Sequence, residues 1–143
     1  MASVAPRHIQ PVAAWLARRH VRPGGPPFFN NVLIGDAQLD IDVGFPIASA
    51  LEGEGDVRPG RFPEGLYAVL RHLGPYDELK DAHGRLYAWG REHGVRFQGL
   101  DRSQGTECLA RFESYLSDPG LEEDPSRLQT EIAFLVERAE RRR

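Results

Sequence analysis

Apolar residues recur along much of the chain at regular spacing, and this spacing predicts two helices and several strands. Helical spacing around Ile9 to Leu16, and again from Tyr76 to about Trp89, predicts one helix in each half of the chain. Pro6 and a second proline, five residues later, are expected to delay or bend the first helix. Apolar runs between turn-forming glycines and prolines predict strands at 28–34, 39–43, 66–73, 108–116 and 130–136, with a polar loop at 98–106.

An internal repeat indicates how these elements are organised. Ala14 to Gly25 aligns without gaps on Ala88 to Gly99, and two strands follow each copy. The sequence therefore predicts one α+β domain over residues 1–143, with β-α-β-β halves at about 1–50 and 62–137 joined by a linker rich in glycine and proline. We expect an antiparallel sheet, two helices on one face, and a ligand cleft between the halves.

The first half has no counterpart of the leading strand at 66–73, because that strand would precede residue 1. Either the start of the chain is trimmed, or the sheet carries an uncovered edge. A second copy of the chain could cover such an edge, so a homodimer is one expectation.

Composition narrows the classes of protein. The chain has 143 residues, 41% hydrophobic and 27% charged, which is typical of a folded globular domain. A net charge of −3 gives no field that would attract nucleic acid directly. The apolar runs are too short to cross a membrane, and the first residues do not resemble a signal peptide. The single cysteine, Cys108, suits a reducing compartment, so we expect a cytoplasmic protein.

The strand at 108–116 carries the candidate chemistry, because its side chains alternate between two faces. We expect the small and apolar set to pack under the helices and the other set to face the cleft. A carboxylate between an arginine and a phenol could bind a cation or act as a general base. The alternative is an exposed face on which two charges merely lie near each other. The set assigned to the cleft is Leu109, Arg111, Glu113 and Tyr115; the set assigned to the helices is Ala110, Phe112, Ser114 and Leu116.

Other residues could serve the same cleft. Asp42, with its neighbour Asp40, is expected on the sheet face away from the helices, where it either lines the cleft or is solvated. Tyr67 alternates with apolar neighbours and could face the cleft too. Trp15 and Trp89 match in the repeat, which favours equivalent core positions over ligand contact. No histidine or cysteine spacing indicates a metal, and no glycine-rich motif indicates a nucleotide, so we expect neither metal nor cofactor.

Several short motifs resemble a known family in order and spacing. They are GPY at 74–76, opening the second helix, ESYLSDP at 113–119, TEI at 130–132, and DVGFPI at 42–47. Together they resemble the GyrI-like small-molecule-binding family, which includes the effector-binding domains of multidrug-sensing transcription activators.

The resemblance implies a cleft for lipophilic, often cationic, aromatic compounds. It implies Glu113 as the characteristic carboxylate and aromatic walls from Tyr115, Tyr67, Trp89 and Phe29. The first hypothesis is a stand-alone domain that binds a hydrophobic drug or metabolite. The alternative is a hydrolase of strained electrophiles, such as cyclopropane-bearing toxins, with Glu113 as general base and Tyr115 or Tyr67 as proton donor or orienter. A third is an interaction protein that acts through its surface.

Overall fold

Two helices and seven strands follow each other in a computed structural model that describes residues 5–49, 51–118 and 121–137. The two longer helices are accompanied by short 3-10 turns at Tyr76–Glu78 and Pro125–Arg127. The elements are α1 (Ala5–Arg18), β1 (Phe28–Ile34), β2 (Leu39–Gly44), β3 (Tyr67–Leu73), α2 (Leu79–His93), β4 (Leu100–Arg102), β5 (Gly105–Glu107), β6 (Arg111–Tyr115) and β7 (Gln129–Leu135).

All the strands join one antiparallel sheet, in which β3, β7, β6, β1 and β2 lie side by side in this order. The last residues of β1, Leu33 and Ile34, pair with β5, and β5 pairs with β4. The predicted α+β class is therefore confirmed. The two halves meet where β1 pairs with β6, and Phe29 lies opposite Glu113 in that register. Within the described residues β2 pairs with β1 alone. A dimer through this edge stays a prediction.

Both helices contribute to one core on the same face of the sheet. Leu86 and Ala82 of α2 pack with Phe134 and Ile132 of β7, and Ile9 of α1 packs against the same cluster. Helix α2 ends at a glycine with φ of 68°, a left-handed conformation that glycine adopts without strain. The core thus places α2 directly above β6 and β7, which decides the surroundings of the β6 side chains.

The first helix does not start late. It begins at Ala5, so Pro6 lies in its first turn, where a missing N–H costs no hydrogen bond. Pro11 lies inside the helix, which continues to Arg18. The expectation that the prolines delay the helix was wrong, because the first of them occupies a position that suits proline.

The predicted loop at 98–106 contains a hairpin, and the strand after it starts at Arg111 rather than Cys108. Two asparagines of β1 explain the later start. The amide N–H of Arg111 donates to Asn30 Oδ1 at 3.0 Å, and Asn31 Nδ2 donates to the Arg111 carbonyl at 3.3 Å. These side chains replace backbone pairing at the point where β1 leaves β6 and turns to β5.

Candidate functional site

A cavity of about 810 Å³ lies at the junction of the two halves; it opens on the sheet face away from α2 and continues around β2 to α1. Phe28 of β1 and Phe112 of β6 line its floor, and residues 51–62 of the linker form a wall that we call the strap. The ring of Phe62, at the end of the strap, stacks on Phe112 with centroids 4.2 Å apart and planes 11° apart. Phe28 meets Phe62 edge-on at 4.9 Å. We call this site the aromatic cleft.

The charges around the aromatic cleft favour a cation. Its lining holds four carboxylates and two guanidinium groups. Asp42 pairs with Arg58 at 3.2 Å, and Glu107 pairs with Arg102, outside the lining, at 3.0 Å. The excess of negative charge therefore rests on Glu52 and Asp56. The excess of negative charge near aromatic faces attracts positive ligands. The lining also includes consecutive residues of β2 and the buried Trp15 of α1, so the cavity extends along the free edge of β2. The six charged residues are Asp42, Glu52, Asp56, Glu107, Arg58 and Arg61.

Glu113 lies on the opposite face, beneath α2. Its Oε2 is 2.9 Å from Nε2 of His83, and its Oε1 accepts a hydrogen bond from the Tyr115 hydroxyl. The side chains of Glu113 and His83 are 9% and 19% exposed, and the ring of Tyr76 lies 5.4 Å from that of Tyr115. The prediction that Glu113 and Tyr115 lie on the sheet face away from the helices was wrong, and their role in ligand binding stays a prediction. The two faces of β6 are exchanged, because a histidine and a tyrosine satisfy the carboxylate inside the core.

Arg111 shares this buried face, so the alternative of an exposed charged face was also wrong. Its NH1 group donates to the Tyr87 hydroxyl at 3.2 Å, and its NH2 group donates to the Gln98 carbonyl at 2.9 Å. The guanidinium lies over the rings of Tyr87 and Phe134. It reaches the carbonyl because residue 99 is glycine: a Cβ at Gly99 would lie 2.8 Å from the NH2 atom. Arg111 therefore fastens the loop after α2 to the sheet.

The remaining candidates divide between the cleft and other surfaces. Asp42 lines the cleft, and Tyr67 stands edge-on to Phe112 at 6.0 Å, with its hydroxyl donating to the Pro63 carbonyl. Burial raises the pKa of Tyr67. Phe29 packs against the core cluster on the helix side. Trp89 is 41% exposed and stacks on His93, so the core position expected for it was wrong as well.

Three phenylalanines of the cleft were missed as site residues. Phe28 and Phe112 lie next in sequence to the predicted Phe29 and Glu113. The prediction therefore chose the correct strands but the wrong side of each strand. Phe62 lies in a linker that carries no periodic pattern, and only its aromatic character could have drawn attention to it.

The described part of the chain contains no cluster of three or more histidine, cysteine, aspartate or glutamate residues arranged to hold a metal ion. None of the helices described is long and apolar enough to cross a membrane.

An α+β sheet with a cavity lined by aromatic side chains is an architecture that suits a small-molecule-binding domain. The chain belongs to the GyrI-like family, because the GyrI-like small molecule binding domain matches residues 3–137. Comparison with curated proteins gives no significant match. The chain is similar to one in a cryo-EM structure of the EcmrR–DNA complex in EcmrR-RPo, with 20% identity and a TM-score of 0.72. The match covers 90% of this chain and 47% of that one, so it spans about half of the EcmrR chain and shows the shared fold.

Replacing Glu113 by alanine should lower the free energy of unfolding by about 2 kcal/mol, since His83 loses its carboxylate and the Tyr115 hydroxyl loses an acceptor in the core. The matched control is Glu131→Ala on the neighbouring strand, where a more exposed carboxylate pairs with Arg71 and should contribute less than about 1 kcal/mol. Urea denaturation measures both. Equal losses for the two variants would contradict the buried network.

Tyr76→Phe should change the pH dependence of stability. The Tyr76 hydroxyl is buried without a hydrogen-bond partner among the described residues, and burial, followed by the charges of Asp118 and Glu113, raises its pKa from the usual 10.0. A raised pKa in the folded state stabilises the protein below pH 10, and this contribution is lost as the pH rises through the folded-state value. Near neutral pH the phenol is neutral in the folded and the unfolded state, so the shifted pKa makes no difference between the variant and wild type there. The variant should match or exceed wild type by up to about 1 kcal/mol at this pH because it removes a buried hydroxyl that has no hydrogen-bond partner among the described residues.

Above about pH 10 the advantage of Tyr76→Phe should grow, because phenylalanine has no proton to lose. Urea denaturation of both proteins at about pH 7 and about pH 11 measures the difference. Parallel stability curves across this range would show that the folded protein does not hold the phenol neutral.

Proposed function

We propose that this domain binds a planar, aromatic, cationic molecule in the aromatic cleft. The observation that carries the proposal is the stack of Phe62 on Phe112 beside Phe28, within a cavity of about 810 Å³ whose lining has more carboxylates than guanidinium groups. Cavities of roughly 300–1,000 Å³ accommodate drug-sized ligands. The chemistry of the lining therefore matches the size, shape and charge of such a compound.

The phenylalanine rings supply the apolar contact and the carboxylates supply the selection by charge. Flat ligands gain dispersion energy and favourable quadrupole interactions against aromatic faces and edges. Asp56 and Glu52 lie on the strap side of the cavity and Asp42 on the sheet side. A cation between the strap and the sheet is therefore approached by carboxylates from both directions.

Glu113 has a positioning role in this proposal. It contacts His83 of α2 and does not line the cavity, so it holds the helix against the sheet from the other face. Its substitution should disturb stability more than affinity. Glu113→Gln, which keeps the size of the side chain, should bind ligand about as well as wild type.

Phe112→Leu should weaken the binding of a cationic planar dye by about threefold to tenfold, the value of one aromatic contact. Fluorescence titration measures the affinity, and an anionic dye of the same ring system should bind less tightly to every variant. Trp89→Leu is the control, because this exposed tryptophan lies outside the cleft. Equal affinities of wild type and Phe112→Leu would reject the cleft as the site, and a loss on Glu113→Gln alone would restore the carboxylate as the anchor.

A second candidate function, hydrolysis of a strained electrophile, is favoured by one contact. Glu113, His83 and Tyr115 form a chain of carboxylate, imidazole and phenol, the groups that activate water in acid–base catalysis. We expect binding without turnover, since this chain of groups lies off the cleft. Mass spectrometry of a cyclopropane-bearing compound incubated with the protein should show an unchanged mass. Addition of water by wild type and its loss in Glu113→Gln would instead establish the hydrolase.

A further inference from the structure

The strap has a role that follows from the position of Phe62. We propose that Phe62 is a plug: it occupies, on the ring of Phe112, the place that a planar aromatic ligand takes, and the ligand binds by lifting Phe62 and the strap from the sheet. This inference rests on the proposed function and adds to it the segment that the ligand displaces. It makes Phe62 a residue that sets affinity by competing with the ligand.

The ring geometry leaves no room for a ligand between the two phenylalanines. Their centroids are 4.2 Å apart and the planes are nearly parallel. A third ring between them would need a separation of about 7 Å, twice the contact distance of about 3.5 Å between carbon atoms. A ligand that stacks on this face of Phe112 must therefore move Phe62.

The neighbours of the stack would suit a ligand ring as well as they suit Phe62. Phe28 presents its edge to Phe62 at 67°, and Tyr67 stands edge-on to Phe112 at 67°. Edge-to-face contacts of this kind depend on ring geometry and do not require a particular residue. The ring of a planar ligand in place of Phe62 would keep the contact with Phe28.

The strap is held by contacts that are easy to break. Phe62 itself is 37% exposed, and the two ion pairs that tether the strap, Arg58 with Asp42 and Arg19 with Glu54, are exposed. Exposed ion pairs contribute little to stability. In the described chain, residues 58–62 make no backbone hydrogen bond, and the backbone of Gly60 borders open space. A segment with so few buried contacts opens locally at low cost.

A plug and a wall give opposite results when the ring is removed. If Phe62 competes with the ligand, Phe62→Ala should bind a cationic planar dye about threefold to tenfold more tightly than wild type, since the aromatic pair no longer has to be broken. Phe45→Ala is the matched control, because Phe45 lines the cavity but takes no part in the stack. Its affinity should be lower, because the variant loses apolar lining of the cavity and leaves the stack intact. Weaker or equal binding by Phe62→Ala would show that the ring is a wall and overturn the inference, while the proposed function would stand.

Limited trypsin digestion gives a second readout that can be made without ligand. Arg58 precedes Pro59 and resists trypsin, so Arg61 is the cleavable site of the strap, and its product begins at Phe62. Phe62→Ala without dye should be cut at Arg61 several-fold faster than wild type, because the stack no longer holds the segment. Adding dye to wild type should also accelerate this cut, and protection would mean that the strap closes over the ligand and would overturn the plug.

The two failures can be told apart. If neither wild type nor Phe62→Ala binds the dye, the proposed function is wrong. If cleavage at Arg61 without dye is the same in both proteins, the stack does not hold the strap, and the inference fails whatever the titrations show. Circular dichroism of each variant checks that the fold is retained.

Discussion

The pairing of β1 with β6 holds the two halves together, and the rest of the molecule depends on its register. Phe28 lies opposite Ser114, Phe29 opposite Glu113 and Asn30 opposite Phe112. Since side chains alternate along a strand, this register sends Phe28 and Phe112 to the open face together and Glu113 to the face under α2. A shift of one residue would exchange the two sets, leaving charge in the cleft and phenylalanine under the helix. The cleft and the buried network are therefore two results of one alignment.

The arrangement of elements could be predicted because it follows from periodic patterns. The matching segments around Trp15 and Trp89, each followed by two strands, indicate the order of each half, and the motifs at 74–76 and 113–119 indicate the family. The hairpin of β4 and β5 could not be predicted in this way. Its strands have three residues each, and those of β4 are all exposed, so no alternation of apolar and polar residues marks them.

The site was harder to predict, because alternation gives two faces without saying which is buried. Glu113 and Arg111 were assigned to the open face because the residues that alternate with them are small or apolar and were expected to pack under the helices. Their partners, His83 and Tyr87, lie 30 and 24 positions earlier in the chain, and no local pattern connects such distant residues. The position of Phe62 on Phe112 depends on the path of a linker rich in glycine and proline, which the sequence leaves undetermined. Buried polar networks are satisfied by tertiary contacts, and these appear only once the fold is known.

The glycine beside the Arg111 guanidinium links the architecture of the loop to that of the core. Any side chain at residue 99 would meet both the NH2 atom of Arg111 and a methyl group of Thr106, at 2.8 and 2.7 Å from its first carbon. The Arg111 guanidinium can therefore keep its position only if residue 99 has no side chain. A larger residue at position 99 would require the guanidinium or the threonine methyl to move, although positions 99 and 111 stand twelve apart along the chain. A residue of a surface loop is thereby subject to the packing limits of the protein interior.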